Sequence, residues 1–295
     1  MANGETPART TPERAVESAP APAPTGVVDA LPPGTILRQS YRVLDFIGEG
    51  GAGAVYLAEH TQLGNLVAVK TLFGKYVRDP DMRRRFLEEA IIQANINHAN
   101  IIRVFDVVDE PPLCAIFMEY VEGSSLEKWI ASFDGPPPVE QAIRLFLAIL
   151  EGMAHAHAQG VVHRDIKPAN ILVASGPNGV VPKVTDFGIA KILSESRRTE
   201  TGTAMGTVYY APPEQLTDAK SVDHRADIYS LGCTLYELLT GALPFEDATM
   251  FGVMKKHVQA PRPDPCALNP AVPRDVGAAV MRAMAVDPKH RFQSC

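Results

Sequence analysis

The stretch His163-Arg164-Asp165-Ile166-Lys167-Pro168-Ala169-Asn170, with Asp186-Phe187-Gly188 sixteen residues behind it, carries the densest chemistry in this chain of 295 residues. Two short segments supply a carboxylate, an amine, a neutral amide and a second carboxylate, bracketed by the apolar runs VVH and ILV. Carboxylate and amide oxygens suit a hard divalent cation. An amine suits phosphate, and the remaining carboxylate suits a proton acceptor. Such parts serve phosphoryl transfer, which depends mostly on positioning and charge neutralisation.

Upstream, Gly48, Gly50 and Gly53 form GxGxxG within Ile47 to Val55. Without Cβ atoms the backbone can approach phosphate closely, so that amides meet the ligand. The same letters mark dinucleotide sites, but that version opens a helix; here the triplet sits between two β-type runs. Lys70 ends the apolar run Val67-Ala68-Val69, and a lysine there is costly to bury without an anion. A phosphate together with Glu89 on the following helix is the expected partner; a strand-edge lysine reaching solvent is the bland alternative.

From Tyr41 the runs YRVLDFIGEG, AVYLAEH and LVAVKTLF alternate with Gly or Asn turns and predict strands. Arg83 to Asn97 repeats Phe86, Leu87, Ala90, Ile91 and Ala94 at helical spacing. IIRVFDVVDE and LCAIFMEYV predict two more strands. After Gly123 helices dominate: Val139 to Gln159, stopped by a left-handed Gly160; Ala226 to Thr240, with Gly241 and Pro244 behind it; Ala248 to Val258; and Arg274 to Ala285. Strands first and helices afterwards predict two unlike lobes. Residues 1–35, rich in Pro, Ala and Thr, hold too few large apolar side chains to offset ordering entropy and are expected to form a flexible leader.

A 46% apolar content supports a packed core. Net charge of -6, with both signs interspersed, argues against nucleic acid as a partner. Cys114, Cys233, Cys266 and Cys295 form no CxxC pair, which suggests reduced thiols in a cytoplasmic setting. No signal-peptide core and no membrane-length apolar run is present.

The glycine triplet, VAVK ending at Lys70, HRDIKPAN and DFG together resemble the protein-kinase signature set, over residues 41–294. Within that family the chain looks like the eukaryotic-like serine/threonine kinases of bacteria. The resemblance implies an α+β fold: a small antiparallel lobe with one main helix at about 36–118, a hinge at about 119–123 and a mostly helical large lobe at about 124–295. It implies ATP with Mg2+, Mn2+ being the alternative cation. Ile47, Gly48, Glu49, Gly50, Gly51, Ala52, Gly53, Ala54 and Val55 would cover the nucleotide. Lys70 would hold its α and β phosphates and pair with Glu89, preferred over Glu88 because it lies nine residues before His98. Val55, Ala68 and Leu172 would enclose the adenine, with Met118 as gatekeeper and the backbone of hinge residues Glu119 and Val121 bonding it. Asp165 resembles the catalytic base, Lys167 the serine/threonine-type lysine at the γ-phosphate, and Asn170 and Asp186 the metal ligands.

Thr199, Thr201 and Thr203 resemble activation-loop phosphorylation sites, with Arg164 as the cation that meets an added phosphate. Thr207 looks like the residue that bonds near Asp165 and Lys167. Pro213 and Glu214 end a PPE triplet, Glu214 is expected to pair with Arg291, and Asp227 to hold the backbone at His163 and Arg164. His155 and His157 read as satisfied structural histidines. Implied partners are protein substrates and a second copy for trans-autophosphorylation.

Three departures stand out. Ala52 replaces a larger residue at the loop tip, Gln93 replaces an apolar residue and predicts a helix that needs help to reach its active position, and the sequence stops at Cys295 before an expected last helix. A longer, membrane-anchored protein with this part in the cytoplasm is one reading of that stop. The rival functions are a catalytically impaired scaffold, whose sign would be loss of Lys70, Asp165 or Asp186, and a small-molecule kinase, which would lack the PPE segment and Thr207.

Overall fold

The computed structural model describes residues 31–50, 52–110, 112–176, 179–187, 208–217 and 222–295. Strands β1 (Ile36–Leu37), β2 (Tyr41–Glu49), β3 (Gly53–His60), β4 (Leu66–Leu72), β5 (Val104–Glu110) and β6 (Leu113–Glu119) form one antiparallel sheet in the order β1-β2-β3-β4-β6-β5. Side chains alternate between its faces. Val43, Ala54, Tyr56, Val67, Val69 and Phe117 fill one cluster. Ala68, Leu72, Ile116 and Met118 fill the other, against Phe86 and Ala90 of helix α2. That alternation turns Lys70 to the face of Ala68 and α2.

A short helix α1 (Gly74–Val77) precedes α2 (Pro80–Ala94), which starts three residues before the expected Arg83. The reason is local: the Asp79 carboxylate accepts the Asp81 and Met82 amides, and Pro80 occupies the first turn, where its missing N–H costs nothing.

The large lobe contains a second antiparallel sheet that sequence periodicity did not reveal: β7 (Gly123–Ser125), β8 (Ile171–Gly176) and β9 (Gly179–Val184). Its helices are α3 (Leu126–Ala131), α4 (Val139–Ala158), α5 (Pro213–Thr217), α6 (His224–Thr240), α7 (Met250–Gln259), α8 (Pro265–Leu268) and α9 (Arg274–Ala283). In α4, Phe146, Ile149 and Met153 are buried as expected, and Gly160 beyond it adopts φ 75°. Helix α6 is buried along nearly its whole length, and its Ser230 and Thr234 hydroxyls donate to the Tyr210 and Ser230 carbonyls.

Segment 98–102 stitches the lobes together. Ile102 N–H donates to Val184 O at 2.9 Å, Val184 N–H to Asn100 O at 2.8 Å, and Asn100 Nδ2 to Pro182 O at 2.9 Å. All four cysteines are unpaired, and burial pushes the Cys114 thiol up to about 11. Among the described residues no helix is long and apolar enough to cross a membrane.

Candidate active site

Lys70 stands between two carboxylates, with Nζ 2.6 Å from Asp186 Oδ1 and 3.4 Å from Glu89 Oε1. Burial works against its charge, but the two anions hold its pKa well above the ordinary lysine value. Burial also opposes ionisation of Asp186; the Lys70 ammonium outweighs it and keeps that carboxyl below the usual range. Glu89, farther from the ammonium, goes the other way: burial and the Asp186 charge push it up despite Lys70. The expected rival, Glu88, faces Arg84 at 2.8 Å instead. Asp186 as the nearer partner of Lys70 was not anticipated.

The loop after α4 presents Asp165, whose Oδ2 accepts Lys167 Nζ at 2.8 Å and Asn170 Nδ2 at 3.0 Å; Asn170 Nδ2 also donates to the Asp165 carbonyl at 2.8 Å. Asp165 lies close enough to Glu89 and Asp186 that its charge raises both carboxyls. The backbone here is unusual, for Arg164 and Asp186 sit at φ 67° and 59°. Left-handed conformation in a non-glycine residue costs roughly 1–2 kcal/mol and persists only under restraint.

Asp227, at the start of α6, supplies that restraint for Arg164. Its Oδ1 accepts the Arg164 amide at 2.7 Å, and its Oδ2 accepts the His163 amide at 2.7 Å and His157 Nε2 at 2.8 Å. His163 is fully buried, and desolvation lowers its pKa despite the nearby carboxylates. A neutral ring fits its contacts, with Nε2 donating to Thr185 O at 2.9 Å and Nδ1 accepting the Asp165 amide at 3.2 Å. The ring lies 4.6 Å from that of Phe187.

Farther out, Arg291 is completely buried and all five of its donors are used. Two go to Glu214, at 2.6 and 2.8 Å, and the others to the Ala285, Arg225 and Val286 carbonyls. Glu214's neighbour Gln215 donates to the Arg164 carbonyl at 3.2 Å, linking this pair to the catalytic-loop backbone.

Val55, Ala68, Met118, Val121 and Leu172 belong to one apolar cluster between the lobes, together with Ala52 and Tyr120. The Glu119 amide already donates to Arg103 O at 2.8 Å, and its side chain pairs with Lys183 at 2.7 Å. Strand alternation buries the Ala54 methyl group in the opposite cluster. In the glycine loop, Gly50 N–H closes onto Gly53 O at 2.8 Å. A Cβ at Gly53 would run into the Thr71 carbonyl, where β3 meets β4. Ile47 is half exposed at the loop's entrance, with Gly48 and Glu49 at the end of β2.

Gly51, Gly188, Thr199, Thr201, Thr203 and Thr207 lie outside the described residues. Gln93 is buried, and its amide donates to Ile102 O at 2.8 Å.

The donor set suits a hard cation that arrives with its own oxygen ligands. Asn170 spends its amide nitrogen on Asp165, which leaves its oxygen turned elsewhere, and Asp186 opens partly onto the cleft. Among the described residues no three His, Cys, Asp or Glu side chains group to hold a metal ion.

Comparison with known proteins agrees with this geometry. The protein kinase domain family model matches residues 41–293. The chain is 41% identical over 254 residues to serine/threonine-protein kinase PrkC of Bacillus subtilis (strain 168), covering 86% of this chain and 38% of that protein. It is 40% identical over 263 residues to serine/threonine-protein kinase PknB of Mycobacterium leprae (strain TN), covering 88% and 42%. The chain thus spans about two fifths of the length of these relatives. The crystal structure of the Mycobacterium tuberculosis PknI kinase domain superposes with a TM-score of 0.70 at 29% identity, covering 90% of this chain and 96% of that one. A two-lobed fold, a lysine held between two carboxylates and this kinship lead to one conclusion: the chain belongs to the protein kinase domain family.

Proposed function

We propose that this domain transfers the γ-phosphate of Mg-ATP to serine and threonine hydroxyls of proteins, including Thr199 or Thr201 on a second copy of itself. The observation that carries the reading is the Lys70 ammonium, 2.6 Å from Asp186 and 3.4 Å from Glu89, beside the Asp165-Lys167-Asn170 cluster.

In this reading Lys70, fixed by Glu89, receives the α and β phosphates. Asp186 and the Asn170 oxygen hold the metal, which when bound neutralises charge on the phosphate oxygens. Mg2+ is the proposed ion, with Mn2+ the alternative, since one carboxylate and one neutral amide leave an octahedral oxygen-ligated ion room to keep its waters. Asp165 orients the acceptor hydroxyl and takes its proton, a role worth about 10²–10⁴ in rate. Lys167, 2.8 Å from Asp165, offsets negative charge at the transferring group. The glycine loop covers the phosphates with backbone amides. The apolar cluster of Val55, Ala68, Met118 and Leu172 receives the adenine ring, bonded by the Glu119 carbonyl and the Val121 backbone. Arg164 meets a phosphate added to the activation segment, and Thr207 is assigned to the substrate loop. The site is assigned to the cytoplasm.

Asp165→Asn tests the assignment. The variant should bind ATP with near-native affinity by calorimetry and lose phosphate transfer to a protein substrate; full transfer activity would refute the base role. The impaired-scaffold alternative expects no transfer from the unmodified chain either.

A further inference from the structure

We infer that Gln93 is a positioning residue for Glu89: its buried side-chain amide bolts α2 to segment 98–102, which pairs with β9 just ahead of Asp186, and so fixes the carboxylate that steadies Lys70. The inference rests on the kinase reading above and extends it to a residue with no direct contact to nucleotide or substrate.

Gln93 follows Glu89 by four positions, so the two side chains share one face of α2. Both are almost fully buried. Gln93 Nε2 donates to Ile102 O at 2.8 Å, Ile102 N–H donates to Val184 O at 2.9 Å, and Asp186 follows Val184 by two residues. Asp186 then meets Lys70 at 2.6 Å, and Lys70 meets Glu89 at 3.4 Å. The polar contacts close a ring from Lys70 through Glu89, α2, Gln93, Ile102 and Val184 to Asp186 and back to Lys70.

The chemistry of the link matters. An apolar side chain at position 93 would make non-directional contacts that tolerate sliding of the helix. A buried amide tolerates much less, because any shift of α2 that pulls Nε2 from the Ile102 carbonyl leaves polar groups unpaired away from water. Glu89 needs such a restraint, since burial and the Asp186 charge both disfavour its ionised form and Lys70 is shared with a closer competitor. The bond therefore acts where the site's electrostatics are least self-sufficient.

The test is a double-mutant cycle on the full chain, with kcat, KM for ATP and melting temperature measured for Gln93→Leu, Glu89→Gln and the pair. Gln93→Leu should lower kcat/KM by about tenfold in the otherwise unaltered chain, and by less than about twofold when Glu89→Gln is already present. An equal loss in both backgrounds would overturn the inference, since a merely structural defect ignores residue 89. Should Gln93→Leu fail to fold, Gln93→Glu keeps the size. Its carboxylate cannot donate to Ile102 O but its protonated acid can, so its activity relative to the parent should rise as pH falls; a flat ratio would count against the inference. A parent chain that transfers no phosphate refutes the kinase reading itself. A parent that transfers, with Glu89→Gln impaired and Gln93→Leu unimpaired, refutes only the role of Gln93.

Discussion

Cutting the Glu214–Arg291 pair from its two ends should give unequal losses. Arg291 is fully buried, whereas Glu214 keeps 20% of its side-chain surface. In Glu214→Ala the guanidinium stays buried but retains three carbonyl acceptors and the Tyr229 ring 4.8 Å away. The cost should therefore fall near the low end of the ~3–5 kcal/mol seen when one partner of a buried pair is removed. In Arg291→Met, Glu214 can recover water, but three backbone carbonyls lose their donors at roughly 1 kcal/mol each in addition to the pair. A total of about 4–5 kcal/mol is expected. The double variant should be about as stable as Arg291→Met alone, giving a coupling equal to the Glu214→Ala loss, about 3 kcal/mol. Urea unfolding of the four proteins measures all of this. Additive losses would show that the two side chains are not coupled, and a Glu214→Ala variant less stable than Arg291→Met would show that the three carbonyls do not compensate the buried guanidinium. Because Gln215 beside Glu214 bonds the Arg164 carbonyl, both variants should also lose activity.

Two further perturbations address other parts of the fold. Burial, then the Arg262 charge, push His257 down to about 4, while its Nδ1 contacts the Tyr229 hydroxyl at 2.7 Å. The unfolded chain takes up that proton below about pH 6.5 and the folded chain does not, so stability falls with pH across that window, by roughly 2 kcal/mol at about pH 5. His163 acts in the same direction; His257→Gln should flatten the unfolding free energy against pH by the His257 share, and an unchanged slope would contradict it. Gly53→Ala should part β3 from β4 at the Thr71 carbonyl, costing about 1–3 kcal/mol and weakening ATP binding; a thermal melt and nucleotide titration matching the parent would count against that packing argument.

Local signals made much of this protein readable. Strand alternation foretold the small-lobe sheet, and the HRDIKPAN and DFG motifs marked the residues that meet in the cleft. The β8–β9 hairpin was missed although Gly176 to Gly179 offers a turn between ILVAS and VVPKV; the motifs on either side drew the reading instead. The same pleat that places Lys70 beside α2 turns the Ala54 side chain to the opposite face of the sheet. The start of α2 was written in Asp79-Pro80, a capping signal that apolar periodicity alone ignores. Other features were out of reach. Lys70 and Asp186 are 116 positions apart, and no local pattern states which carboxylate the ammonium approaches more closely. The bond of Gln93 was equally hidden, because its partner is a backbone carbonyl brought near by tertiary folding.

Mass spectrometry of the purified chain incubated with and without Mg-ATP tests the central claim most directly. The account predicts new phosphate on serine or threonine, Thr199 or Thr201 among them, that disappears on metal chelation and in Asp165→Asn. Unmodified parent chain, or equal phosphorylation of Asp165→Asn, would contradict it.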